Sequence, residues 1–118
     1  MSWLLNTREV EGVTIVDVQS FSILLHDKYK TLKEATDELL KKGEKKILLN
    51  LDNVGYVDSS GIGELVDCLR TANQLYSAQF KLLHVQKKVR DLLVSTRLLG
   101  VFEIFDDEEA AVRSFAVK

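Results

Sequence analysis

LLNLDNVGYVDSSGIGEL, residues Leu48 to Leu65, carries an apolar run through a polar turn and into a new periodicity. With Lys46 and Ile47 the run opens as KILLNL, a short, nearly continuous apolar stretch typical of a central strand buried on both faces. After the turn, Ile62, Leu65, Val66, Leu69 and Ala72 recur at helical spacing and predict a helix to about Tyr76. A strand that passes into a helix through Asp58-Ser59-Ser60-Gly61 puts that turn at the carboxyl end of a sheet. There α/β folds usually hold their sites.

Outward from this segment the same alternation continues. Trp3 to Val10 and Val13 to Val18 read as strands joined by the turn Glu11-Gly12, an opening hairpin. Val13 to Val18 places apolar residues on both sides, which suits a strand covered on both faces. Lys28 to Lys42 has Leu32, Ala35, Leu39 and Leu40 at helical spacing, with Gly43 as the stop. Downstream, Gln79 to Val85 predicts an interior strand, and Lys87 to Leu99 a helix ending at Gly100. Val101 to Phe105 predicts a short strand, and Asp107 to Phe115 a last helix with acids in its first turn. The order β-β-α-β-α-β-α-β-α implies an α/β fold with a mixed sheet, largely parallel after the hairpin, and about four helices.

Length and composition set bounds on function. A chain of 118 residues reads as one domain, 1–118, with no proline and no linker tract to divide it. Acids number 18 and bases 16, so no basic field draws in a nucleic-acid backbone, and no direct nucleic-acid contact is expected. Cys68 is the only cysteine, which leaves no pair for a disulfide and no cluster for a metal. No cofactor is expected. No run approaches the ~18 apolar residues of a membrane span, and the first residues lack a signal-peptide pattern, so the expectation is a cytoplasmic protein without membrane insertion.

The turn holds the chemistry. Asp and Ser are favoured at helix N-caps because their oxygens accept otherwise unpaired backbone N–H groups. A capped helix alone accounts for that much. The functional reading is that one hydroxyl is displayed to a partner, where phosphorylation would add a charge of about −1.5 to −2 and three acceptor oxygens. A helix start tolerates such a charge, while a docked partner need not.

Residues 48–65, taken with the opening hairpin, the LLHV strand and the ending VFEIFDDEEAAVRSF, resemble the STAS domain of bacterial anti-sigma factor antagonists. The resemblance implies a partner-switching role rather than an enzyme. The antagonist binds an anti-sigma factor that is also a serine kinase and so frees a sigma factor; the kinase phosphorylates the antagonist, and a serine phosphatase restores it. In this sequence the phosphorylated position corresponds to Ser59, after the motif aspartate Asp58 and before Ser60. The family's loop after the second strand often reads Gly-x-Leu/Ile-Asp, whereas this chain has Val18-Gln19-Ser20-Phe21-Ser22-Ile23-Leu24. That departure favours a second role: a STAS scaffold or regulatory subunit in a stressosome-like or membrane-transporter complex.

Phe21, Ile23, Leu24 and Leu25 concentrate large apolar side chains in this loop. The expectation is that its exposed members, with Phe21 and Ile23 foremost, join Asp58, Ser59, Ser60 and Gly61 in one partner-binding surface. Two enzymatic or metal-dependent readings are weaker. A receiver domain with Asp58 as phosphoacceptor needs an acidic pair for Mg²⁺ that Asp17, Glu9 and Glu11 do not form. A hydrolase elbow needs Gly-x-Ser-x-Gly, and Ser59 lies in Val-Asp-Ser-Ser-Gly. His26, His84 and Cys68 read as structural. The acids from Glu103 to Glu109 read as helix-dipole complement, and Lys87, Lys88 and Arg90 as a solvated helix start.

Overall fold

The computed structural model describes residues 5–19, 32–115 and the backbone of 22–23. Strand β1 (Leu5–Val10) turns back into β2 (Val13–Val18), and β3 (Ser22–Ile23) precedes helix α1 (Leu32–Lys41). Then come β4 (Lys46–Asn50), β5 (Tyr56–Val57), α2 (Ser59–Arg70), β6 (Gln79–Leu83), α3 (Lys87–Ser95), β7 (Ile104–Phe105) and α4 (Glu108–Phe115). The main sheet has the order β1-β2-β4-β6-β7, with only β1 antiparallel to its neighbour. The expected mixed sheet and four helices are therefore present in one α/β domain.

Glu11 and Gly12 both take the left-handed region, φ 50° and 83°, as a tight hairpin of two right-twisted strands requires. In β2, β4 and β6 the side chains alternate between two faces. Val16, Val18, Ile47, Leu49, Phe80 and Leu82 point to one core, completed by Leu32, Leu40, Ile62, Leu65, Leu69, Val89 and Leu93 from α1, α2 and α3. Val13, Ile15, Leu48 and Leu83 point the other way, under Ala111, Val112 and Phe115 of α4. Among the described residues that second face has one eight-residue helix over it, and polar side chains border its apolar patch. At one end Arg8 bridges Asp17 (2.7 Å) and Glu108 (2.8 Å), while Asn50 donates to Asp17 (2.8 Å). On the same face Lys81, 5% exposed, reaches Glu103 (3.1 Å) and the Ser114 hydroxyl (3.0 Å) beneath the Phe115 ring.

Several boundaries differ from those expected. Two short strands, β3 and β5, were not anticipated; they pair in parallel as a separate two-stranded sheet, with Ile23 opposite Val57. Two-residue strands carry no readable alternation. The expected helix to Tyr76 is α-helical only to Arg70 and then widens into a π turn over Thr71–Leu75. Helix α3 stops at Ser95 rather than at Gly100. Arg97 takes φ 64°, its N–H meeting the Val94 carbonyl and the Leu98 N–H the Leu93 carbonyl, a Schellman stop without glycine. A 3₁₀ turn at Leu99–Val101 then replaces the start of the expected strand. Gly43 ends α1 by the same motif, as its φ of 101° and the Gly43 and Glu44 N–H bonds show. The expected starts at Trp3 and Lys28 lie outside the described residues.

Candidate functional site

Asp58 takes the cap at the start of α2. Its backbone is extended (φ −86°, ψ 179°), and its Oδ1 accepts the Gly61 N–H at 2.7 Å while its carbonyl accepts the Ile62 N–H at 2.9 Å. Because the carboxylate performs this task, neither serine is needed for it. Ser59 and Ser60 are both exposed, at the first two helical positions, and their hydroxyls have no hydrogen bond among the described residues. The turn stands at the carboxyl edge of the sheet, after the chain has left β4 and passed through Leu51 and Val54, both fully buried. Gly61 is buried and Ile62 packs into the core, so the rest of the first turn is locked.

Of the six residues expected at the site, Asp58, Ser59, Ser60 and Gly61 thus form one helix start. The backbone of Ile23 lies alongside it, paired with Val57, the residue before Asp58. Phe21, Leu24, Leu25 and His26 fall outside the described residues, as does the Ile23 side chain. Gly63 is exposed on α2 one turn after Ser59, and a Cβ there would meet nothing within 4 Å. Among the described residues its bareness has no packing reason.

A groove that the sequence did not reveal borders the turn, and Lys88, read as part of a solvated helix start, is among its lining residues. Between β5 and α3 runs an open groove of about 450 Å³ lined by Tyr56, Val57, Lys88, Asp91, Leu92 and Ser95. The Gln86 side-chain amide donates to the Asp52 carbonyl and ties the start of α3 to the loop before β5. Tyr56 lies between Gly55 and Val57 in β5, half-exposed beside α3, a placement that depends on the tertiary docking of β5.

The other candidate groups have structural tasks. Cys68 is buried between α1 and α2, hydrogen-bonded with Thr36; burial pushes its thiol up to about 12, far from a reactive thiolate. Glu64 on α2 accepts the Lys33 N–H at the start of α1 (2.7 Å). The acids before and within α4 are each engaged: Glu103 with Lys81, Asp106 with Arg90, Glu108 with Arg8 and Glu109 with Arg113, while Asp107 caps Ala110. Among the described residues no cluster of three or more His, Cys, Asp or Glu has the arrangement of a metal site, and no helix is long and apolar enough to cross a membrane.

A five-stranded mixed sheet with a serine-bearing helix start at its carboxyl edge accords with the family resemblance, and the family model of the STAS domain matches residues 5–111. The chain belongs to the STAS domain family. A Thermotoga neapolitana protein named as an anti-sigma factor antagonist is 34% identical over 70 residues, which cover 59% of this chain. The match spans 61% of that relative's own length. Among solved structures, a Thermotoga maritima protein titled as an anti-sigma factor antagonist superposes with a TM-score of 0.81 at 24% identity, over 98% of this STAS chain and 97% of the other. The Bacillus cell fate determinant SpoIIAA in its phosphorylated form superposes with a TM-score of 0.68 at 16% identity, over 93% and 97% of the two chains.

Proposed function

We propose that this STAS domain is an anti-sigma factor antagonist that binds an anti-sigma factor with serine kinase activity and is released from it by phosphorylation of Ser59. The observation that carries this reading is the division of labour at the start of α2. Asp58 caps the helix, leaving the Ser59 hydroxyl exposed and without a hydrogen-bond partner among the described residues. In the reaction the kinase transfers the γ-phosphoryl group of ATP to Ser59 Oγ, the hydroxyl proton leaves, and ADP is released. A serine phosphatase hydrolyses the ester and restores the binding form. The phosphoryl chemistry is the kinase's, and this chain supplies the acceptor and the docking surface.

The switch needs no refolding. A phosphate at the first helical position meets the positive end of the α2 dipole, which favours an anion there. At a docked interface the same charge is desolvated or faces a like charge. SpoIIAA, a protein of similar fold, has a phosphorylated form, which supports phosphorylation as a change this fold can carry.

Incubation with the kinase and ATP, followed by peptide mapping, is expected to place the phosphate on Ser59. Phosphate found reproducibly on Ser60 or at a distant hydroxyl would remove the assignment. Ser59→Asp is expected to leave the circular dichroism spectrum unchanged and to cost several kcal/mol of partner affinity by titration calorimetry, whereas Ser59→Ala keeps affinity near that of wild type. Equal affinity for wild type and Ser59→Asp would favour a non-switching STAS scaffold instead, the reading that the unusual Gln19 to Leu25 loop supports.

A further inference from the structure

Resting on the docking role proposed for the Ser59 turn, we propose that the groove between β5 and α3 is part of the same interface and receives a partner segment carrying an apolar side chain beside a carboxylate. Three observations carry this. The first is position: Val57 ends β5 in the groove, and the next residues are Asp58 and Ser59. A segment lying in the groove therefore runs directly to the proposed switch.

The second is the lining. Tyr56 is 50% exposed in the groove with Val57 and Leu92 beside it, and Val94 on α3 is 54% exposed. An exposed tyrosine bordered by aliphatic side chains offers rigid amphipathic area, the kind of anchor that dominates interface energetics.

The third is charge. The opening turn of α3 holds Lys87, Lys88 and Arg90 and no acid. Lys87 pairs with Asp91 at 2.9 Å and Arg90 approaches Asp106 at 3.8 Å. Lys88, which lines the groove, has no ion pair or hydrogen bond among the described residues. With Asp91 paired to Lys87, Lys88 is the groove's one cation without an ion pair among the described residues, and it lies near the positive end of a helix. A basic occupant meets repulsion there, and an acidic one supplies the missing charge. The same sign gives phosphorylation a target: an anion at Ser59 repels an acidic segment approaching along this path.

Two peptides test the groove on the ¹⁵N-labelled full chain, one with phenylalanine and leucine flanked by aspartates and one with the same core flanked by lysines. The acidic peptide is expected to give saturable amide shifts at Tyr56, Val57, Lys88 and Leu92, weakened tenfold or more by Lys88→Glu, and the basic peptide none. Equal shifts from both peptides, shifts elsewhere, no shifts, or indifference to Lys88→Glu overturn the inference. Titration of the anti-sigma factor kinase against wild type, Ser59→Asp and Lys88→Glu separates the two readings. Loss of binding with Ser59→Asp but not Lys88→Glu overturns the groove and leaves the switch standing. Loss with Lys88→Glu alone supports the groove and overturns the switch, and loss with both supports both. Because Lys88 is exposed and has no ion pair among the described residues, Lys88→Glu keeps the wild-type melting temperature or raises it, so lost binding is not lost folding.

Discussion

At the scale of single residues, the start of α2 separates stability from display. Asp58→Ala removes the oxygen that accepts the Gly61 N–H and is expected to cost about 1 kcal/mol, read as a lower midpoint in urea unfolding. An unchanged midpoint would mean that a serine takes over the cap, and that Ser59 or Ser60 is less available than its exposure indicates. Gly63 makes the opposite trade. A glycine inside a helix costs roughly 1 kcal/mol relative to alanine, and none of the described residues crowds the position. Gly63→Ala is therefore expected to stabilise the fold by up to about 1 kcal/mol. If the partner's backbone comes close to the Ser59 turn, the same methyl weakens binding. Calorimetric melting and partner titration on the one variant measure both effects, and a variant no more stable than wild type would show a constraint on Gly63 from within the chain.

At the scale of elements, α3 starts with bases where a helix favours acids. Lys88→Glu reverses one of these charges and is expected to add about 0.3–1 kcal/mol at low salt, shrinking as salt is raised. A lower melting temperature would reveal a structural partner for Lys88. The helices also show how much of the fold was legible in the sequence. KILLNL announced a central strand because strands buried on both faces leave continuous apolar runs, and Gly43 announced the end of α1 because glycine accepts φ 101° freely. Arg97 concealed the end of α3, since a non-glycine residue in the left-handed region carries no compositional signal. The strands β3 and β5 were hidden for a different reason: they exist through their pairing with each other, 34 residues apart at Ser22 and Tyr56. At the site, Asp58 and Ser59 were visible from their spacing, whereas the groove depends on how α3 docks against β5.

At the scale of the whole molecule, the sheet is covered unequally, by three helices on one face and by α4 on the other. Arg8 holds the start of α4 to the sheet through Glu108 and Asp17, and this link has a defined dependence on pH. The hydrogen bond from Arg8 holds the Glu108 carboxyl below its ordinary range; burial opposes ionisation of Asp17, but Arg8 and Asn50 outweigh it and lower that carboxyl too. Groups whose folded values lie below the unfolded ones contribute stability above the ordinary carboxylate range, near pH 4, and lose it as pH falls through the lowered values. Arg8→Gln is expected to cost about 1 kcal/mol at pH 7, since the Arg8 and Glu108 side chains are each more than a third exposed and screened by water. The gap from wild type closes toward acid pH in urea titrations; a gap that stays constant would show that packing, not charge, is what Arg8 supplies.

The opening hairpin has a consequence for how these molecules coexist at high concentration. An unpaired strand at the rim of a sheet is a template onto which another chain can add, and continued addition leads to fibrils. On one rim, β1 reads Leu-Asn-Thr-Arg-Glu-Val, with Asn6, Thr7 and Glu9 exposed and Arg8 committed to the ion network. On the other, β7 is only two residues long. Polar side chains block one rim and brevity blocks the other, so copies of this domain resist merging into a shared sheet.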